Sequence, residues 1–238
     1  MSEPTLSSTV GELVVQRPRR SRVFQMLGID FCCGGKLSLE EAARKQNLDP
    51  KTVLTVLLAS EKAGPTEAEG PDPATLGLAE LCDTIERTHH AYLKTELPRL
   101  HAMIQRVVRA HGERFPWIVE VLETYEPFMS ELVAHMEKEE QVLFPFIRSC
   151  ESGDVAARDM SDAVRMLEHD HDDAGAALAR MRQLTSDFTP PPGACNTFRA
   201  TLDGLAELEH DMHQHVHKEN NILFPRTLAC ETPGQAVA

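Results

Sequence analysis

Two stretches of this 238-residue chain carry the same set of metal-holding side chains. HMEKEEQVLFP begins at His135 and HVHKENNILFP begins at His215, and six of the eleven positions match. Each contains H-x-x-x-E, His135 with Glu139 and His215 with Glu219, and each closes on L-F-P. Residues four apart share one face of a helix, so each His meets its Glu one turn later. Both pairs fall inside apolar stripes: Phe128, Leu132, His135, Glu139, Val142 and Phe146 in the first, and Leu205, Leu208, Met212, His215, Glu219 and Ile222 in the second. A carboxylate buried in such a stripe costs several kcal/mol unless a partner offsets it. No Lys or Arg stands in either stripe. A metal ion would satisfy the imidazole and the carboxylate together.

The rest of the site repeats as well. A shift of 81 residues places His90 on His171, and each precedes its H-x-x-x-E by 45 or 44 residues. The chain therefore reads as two copies of a helical hairpin. Each copy supplies one His from its first helix and a His and a Glu from its second. Four imidazoles and two carboxylates exceed one tetrahedral zinc and suit two metals. If Glu139 and Glu219 both bridge, each metal has two nitrogens and two carboxylate oxygens. An oxo or hydroxo bridge would be a fifth ligand, and one position stays open for a small molecule. Register favours His90, with its neighbour His89 as the competing choice. His101, His111, His210, His213 and His217 fall off the stripes or near helix ends and are expected in solvent. His169 is expected as a supporting partner of the ligands.

Four long segments must position these groups. Helical periodicity runs over 78–111, 117–149, 155–187 and 196–229, with Gly and Pro at the joins, as in TPPPG at 189–193. Four helices of that length make an antiparallel four-helix bundle. Upstream, GPTEAEGPDPATLG at 64–77 has a linker's composition and separates a small helical domain, 1–63, from the bundle, 78–230. In the small domain, SLEE at 38–41 is a capping box, Asp49-Pro50 starts another helix, and 18–28 reads as a helix ended by Gly28. The basic run Arg17, Arg19, Arg20 and Arg22 reads as a solvated helix face in preference to a DNA-binding one.

Composition narrows the function. Net charge is −13, from 24 basic and 37 acidic residues. The first 63 residues hold 9 basic and 7 acidic side chains, so the acidity lies downstream. Nucleic acid and anionic membrane are thus poor partners. No apolar run reaches a membrane-spanning length, and no signal peptide is visible, so a cytoplasmic protein is expected. Six Cys, of which only Cys32 and Cys33 are close together, read as free thiols in a reducing compartment.

On these motifs the downstream domain resembles the hemerythrin-like (HHE) cation-binding domain. With GIDFCCGGKLSLEEA at 28–42, EHDHDDAGAAL, HKENNILFPR and TPPPGAC, nearly the whole chain resembles the di-iron iron–sulfur cluster repair family of the ScdA/YtfE (RIC) type. The resemblance implies an all-α protein. A small ScdA-type domain would precede a hemerythrin-like bundle whose two irons are held by His90, His135, Glu139, His171, His215 and Glu219. By analogy with hemerythrin, one iron takes His90 and His135 and the other His171 and His215. Gly175 stands where an oxygen carrier would offer one more His. The implied work is restoring iron–sulfur clusters damaged by nitric oxide or oxidants, by supplying iron or by handling nitric oxide. The implied partners are damaged iron–sulfur proteins, and nitric oxide or dioxygen as small ligands. The reading favours a non-catalytic donor. An O2/NO sensor or carrier, a nitric oxide reductase or peroxidase, and a homodimer all stay open. Cys32 and Cys33 suit a redox or iron-handover role, and the helix start at Ser38 is expected to lower a thiol pKa.

Overall fold

The computed structural model describes residues 3–60, 72–152 and 160–230. Among them every regular element is helical, and the one β-type contact is an isolated bridge between Thr9 and Ser38. The described residues fall into two compact units. One holds those up to Leu81 together with those from His213 onward, and the other runs from Cys82 to Met212. Both boundaries lie inside continuous helices, α5 (Leu78–Ile85) and α10 (Asn196–Lys218). The linker expected at 64–77 lies outside the described residues up to 71. Its end, 72–77, contains a 3-10 turn, Pro73–Thr75, capped by Asp72.

The first unit is built from short, well-capped helices. Helix α1 (Val10–Gln16) opens on a Thr9–Glu12 capping box, and α3 (Leu39–Lys45) on Ser38–Glu41. In each, hydroxyl and carboxylate satisfy backbone N–H groups that the helix leaves over. The T-x-x-E signal of α1 was in the sequence, and only the second capping box was read from it. Helix α2 (Arg20–Met26) ends near Gly28, whose φ of +66° favours glycine. Helix α4 (Pro50–Ser60) starts where Asp49 accepts from Thr52 N at 2.8 Å. Phe24, Phe31, Leu13, Leu39 and Leu57 close the core. Arg20, expected on a solvated face, is buried, and its Nη1 donates to Leu13 O at 2.9 Å. A guanidinium that caps a helix carbonyl can be buried without leaving its donors idle.

In the second unit α6 (Ala91–His111), α7 (Trp117–Lys138), α9 (Ser161–Leu184) and the first part of α10 form the four-helix bundle. The start expected for the third segment, 155–159, lies outside the described residues. Leu97, Leu100, Ile104, Tyr125, Phe198 and Leu202 fill its interior. Gly204 allows close approach, since a Cβ there would stand 2.7 Å from Leu100 Cδ2.

Three π-turns interrupt these helices: Glu86–His90, Glu139–Leu143 and Glu219–Leu223. Each holds residues of the site. Phe144 N bonds Glu139 O and Phe224 N bonds Glu219 O, five residues back instead of four. The extra residue rotates all that follows. The stripe projected through Val142 and Phe146 therefore fails: Val142 is 60% exposed, and Leu143, Phe144 and Ile147 take the core. It also gives L-F-P its meaning. Leu and Phe are the residues the π-turn swings inward. Pro follows because a widened turn relieves its clash with the carbonyl four residues back.

The register shift is testable in metal-free protein by urea unfolding. Leu143→Ala should cost about 2–5 kcal/mol, as for a buried Leu. Val142→Asp should stay within about 0.5 kcal/mol, as for a surface site. An uninterrupted α-helical register would bury Val142, and Val142→Asp would then cost several kcal/mol.

Candidate metal centre

In the Cys82–Met212 unit, three imidazoles meet one carboxylate. Glu139 Oε2 lies 3.3 Å from His90 Nε2 and 3.4 Å from His135 Nε2. His135 Nε2 lies 3.0 Å from His171 Nε2. Ligand-type atoms of His135, Glu139 and His171 all lie within 4.8 Å of one another. All four residues are buried, none more than 2% exposed. The hemerythrin analogy put His135 with His90 and His171 with His215. The structure sets His135 against His171, with His90 across Glu139. Two residues one turn apart on α7 and its π-turn thus serve opposite neighbours, His135 facing α9 and Glu139 reaching toward His90.

The outer nitrogens are fixed by carboxylates. His90 Nδ1 meets Glu140 Oε1 at 2.8 Å, and Lys94 Nζ donates to the same carboxylate at 2.7 and 2.8 Å. His135 Nδ1 meets Asp170 Oδ2 at 3.2 Å, and Lys138 Nζ donates to it at 2.8 Å. Partial burial pushes both carboxyl groups up. Hydrogen bonds from the lysine and the histidine, with their charges, outweigh that and hold Glu140 and Asp170 below the usual range. An ionised carboxylate can only accept, so each His donates its Nδ1 proton outward and turns Nε2 toward Glu139. A metal held there would take Nε2, with the outer hydrogen bond orienting the ring. Phe144, swung in by the π-turn, stacks on His90 with ring centroids 5.7 Å apart.

His89 points elsewhere, its Nδ1 2.7 Å from Asp211 Oδ1. His169, expected as a supporting partner, is exposed and lies 3.7 Å from Asp173, and Asp170 takes the role instead. Glu140, Asp170, Lys94 and Lys138 went unread. Their signal was a carboxylate next to a ligand, E-E at 139–140 and D-H at 170–171. Beside His135 and His171 a cavity of about 270 Å³ is lined by Leu132, Lys138, Asp170 and Asp173.

In the other unit, His215 Nε2 lies 2.7 Å from Glu219 Oε1, with both residues wholly buried. Two residues after His215, His217, expected in solvent, is 5% exposed. Its ring meets Phe31 edge-on at 5.6 Å, and burial pushes it down to about 4, so it is neutral at physiological pH. Cys32 is buried and Cys33 half-buried. The thiol of Cys32 is pushed up, first by its hydrogen bond with Cys33 and then by burial. The expected lowering by the Ser38 helix start is absent for Cys32: Ser38 and Glu41 already occupy that helix end through their capping box.

Buried imidazoles converging on a buried carboxylate, two of them with the outer nitrogen held by a carboxylate, are a donor set for a divalent first-row cation. The chain is of the corresponding class: residues 83–227 match the hemerythrin HHE cation-binding domain, and residues 6–61 match the ScdA_N domain, a domain of unknown function. An iron–sulfur cluster repair protein YtfE of Edwardsiella ictaluri is 39% identical over 92% of this chain and 96% of its own length. Proteins of the same description from Pectobacterium atrosepticum (35%, over 94% and 97%) and Yersinia pestis (36%, over 94% and 98%) are also similar. The chain belongs to this YtfE family of iron–sulfur cluster repair proteins.

Removing an anchoring carboxylate tests the centre. Glu140→Gln or Asp170→Asn should weaken metal retention by about 10–100-fold, read by chelator competition. Asp173→Asn, at the cavity rim, should leave it unchanged.

Proposed function

We propose that the chain holds two irons through His90, His135, Glu139, His171, His215 and Glu219, and rebuilds iron–sulfur clusters damaged by nitrosative or oxidative stress. The observation that carries this reading is Glu139 Oε2 between His90 Nε2 on one side and the His135–His171 pair on the other. A carboxylate so placed has a nitrogen donor set on each side, as a bridge requires. By the internal repeat, His215 and Glu219 are the counterparts of His135 and Glu139, and they are equally buried.

Iron held there would supply a releasable cation for cluster assembly and a place for nitric oxide or dioxygen to bind. The protein's own part is to make holding and release both possible. Glu140 and Asp170 orient the His90 and His135 rings so that Nε2 faces inward. Lys94 and Lys138 draw those carboxylates outward and moderate the basicity they lend to the rings. Leu132 and Phe128 keep bulk water from the inner wall of the cavity, while Lys138, Asp170 and Asp173 line a polar side beside His135 and His171. The free thiols Cys32, Cys33, Cys82, Cys150 and Cys195 fit the reducing cytoplasm, where damaged iron–sulfur proteins would be its clients. No helix among the described residues is long and apolar enough to cross a membrane.

The test is anaerobic mixing of the iron-loaded protein with a nitric-oxide-damaged dehydratase. Activity should return with loaded protein and not with metal-free protein. Sustained nitric oxide consumption with an electron donor, without recovery of the dehydratase, would favour the reductase reading. Iron content should be about two per chain. His90→Ala should lower it and His89→Ala should not. Glu139→Leu should uncouple both irons in Mössbauer spectra while leaving the metal-free protein as stable or more so, since a buried charge is gone. Two coupled irons in Glu139→Leu would show that this carboxylate is not the bridge.

A further inference from the structure

The unit that contains the N-terminal helices has its own convergence of ligand-type atoms. One atom each from Asp30, Cys32 and Cys33 lie within 4.8 Å of one another. The two sulfurs are 3.9 Å apart. Asp30 Oδ1 accepts from Cys32 N at 3.0 Å and from Cys32 Sγ at 3.1 Å, and Oδ2 accepts from Gly34 N at 2.9 Å. The carboxylate thus faces both the loop backbone and a thiol.

This loop is braced from outside. Asn221 Nδ2 donates to Cys32 O at 3.2 Å and lies 3.4 Å from Phe31 O. Its amide fills the space left by two glycines: a Cβ on Gly11 or Gly35 would stand 2.2 or 2.3 Å from Asn221 Oδ1. A Cβ on Gly34 would crowd Asp30 Oδ2 at 3.1 Å. Glycine at 11 and 35 therefore leaves room for the Asn221 amide, which a Cβ at either would have to displace. Asn221 belongs to the π-turn Glu219–Leu223, so the brace begins two residues after Glu219.

We propose that Asp30, Cys32 and Cys33 form a second metal site that takes one ferrous ion in passing, through two thiolates and a carboxylate. Thiolates with a carboxylate select thiophilic first-row cations over magnesium or calcium. Binding displaces the two thiol protons to solvent, forms two iron–sulfur bonds, and moves no electrons. Without a cation the Cys32 thiol is pushed toward its protonated form by Cys33 and by burial, so Cys32 is poorly suited to attack a disulfide. A cation reverses that balance, because it stabilises the thiolate. Three protein donors leave the shell open, unlike the closed four-donor sites that hold structural metals. An open shell allows the ion to be taken up and passed on. The use of the site in handing iron on rests on the donor reading above, whereas its existence does not.

The test is anaerobic titration of the full-length, iron-loaded, reduced protein with Co²⁺, followed by thiolate-to-cobalt charge transfer in the near ultraviolet. Nitrogen and oxygen ligands give no such band, so the di-iron centre is silent. Wild type should bind one cobalt with this signature, and excess Fe²⁺ should displace it. Cys33→Ser and Asp30→Asn should weaken it about 10-fold or more. Cys195→Ser, an exposed thiol, should not. Asp30 is exposed and Cys33 half-buried, and matching far-UV circular dichroism would confirm that both variants fold. Absence of the band in wild type overturns the proposal, because Co²⁺ binds such donors more tightly than Fe²⁺. So does a band that survives both substitutions, or one that Fe²⁺ cannot displace. If the band is absent while the dehydratase still recovers, the second site falls and the donor reading stands. If the band is present and the dehydratase never recovers, the donor reading falls and the site stands.

Discussion

A carboxylate inside an apolar bundle is the constraint from which the rest of this structure follows. Glu139 is wholly buried, with imidazole nitrogens at 3.3 and 3.4 Å from its Oε2. Burying a carboxylate charge is unfavourable unless a partner offsets it. A cation suits the arrangement chemically. The surroundings of Glu139 favour a cation: Nε2 atoms turned inward, outer carboxylates held below the usual range, and lysines hydrogen-bonded to those carboxylates.

The π-turns are how the helices meet that demand. A regular helix offers one stripe, and a stripe crowded with His and Glu has little room for packing residues. Widening the turn at Glu139 lets ligand and packing residues share a face in sequence. The stripe presents His135 and Glu139, then restarts one residue later with Leu143 and Phe144. Phe144 can then stack on His90, giving that ring an apolar backstop. A π-turn at a functional site is a recurrent device, and here L-F-P ends it.

Much of this was legible in the residues. The duplicated H-x-x-x-E, the four long periodic segments and the capping box at Ser38 each carry a local signal that tertiary contacts did not overrule. What escaped was non-local or register-dependent. Val142 was projected inward because a period of 3.6 was carried through a turn that does not keep it. His217 and Arg20 looked solvated because polarity alone cannot show that Phe31 covers one and that a helix carbonyl receives the other. The anchoring role of Asp170 depends on how α9 sits beside α7, which no spacing along one helix encodes. His135 facing His171 escaped for the same reason.

The paired repeats have also drifted to unequal fates. In the first copy the residues after the ligand Glu are Glu140, Gln141 and Val142, and Val142 lies open. In the second they are Asn220, Asn221 and Ile222, where Asn220 and Ile222 are buried and Asn221 is wedged against two glycines. A turn that began as a duplicate has become a keystone in one copy and a free margin in the other. Variation is correspondingly cheap on the first and dear on the second. Recombining the two hairpins, or swapping one for the other, would conserve every metal donor and still unseat the cysteine loop.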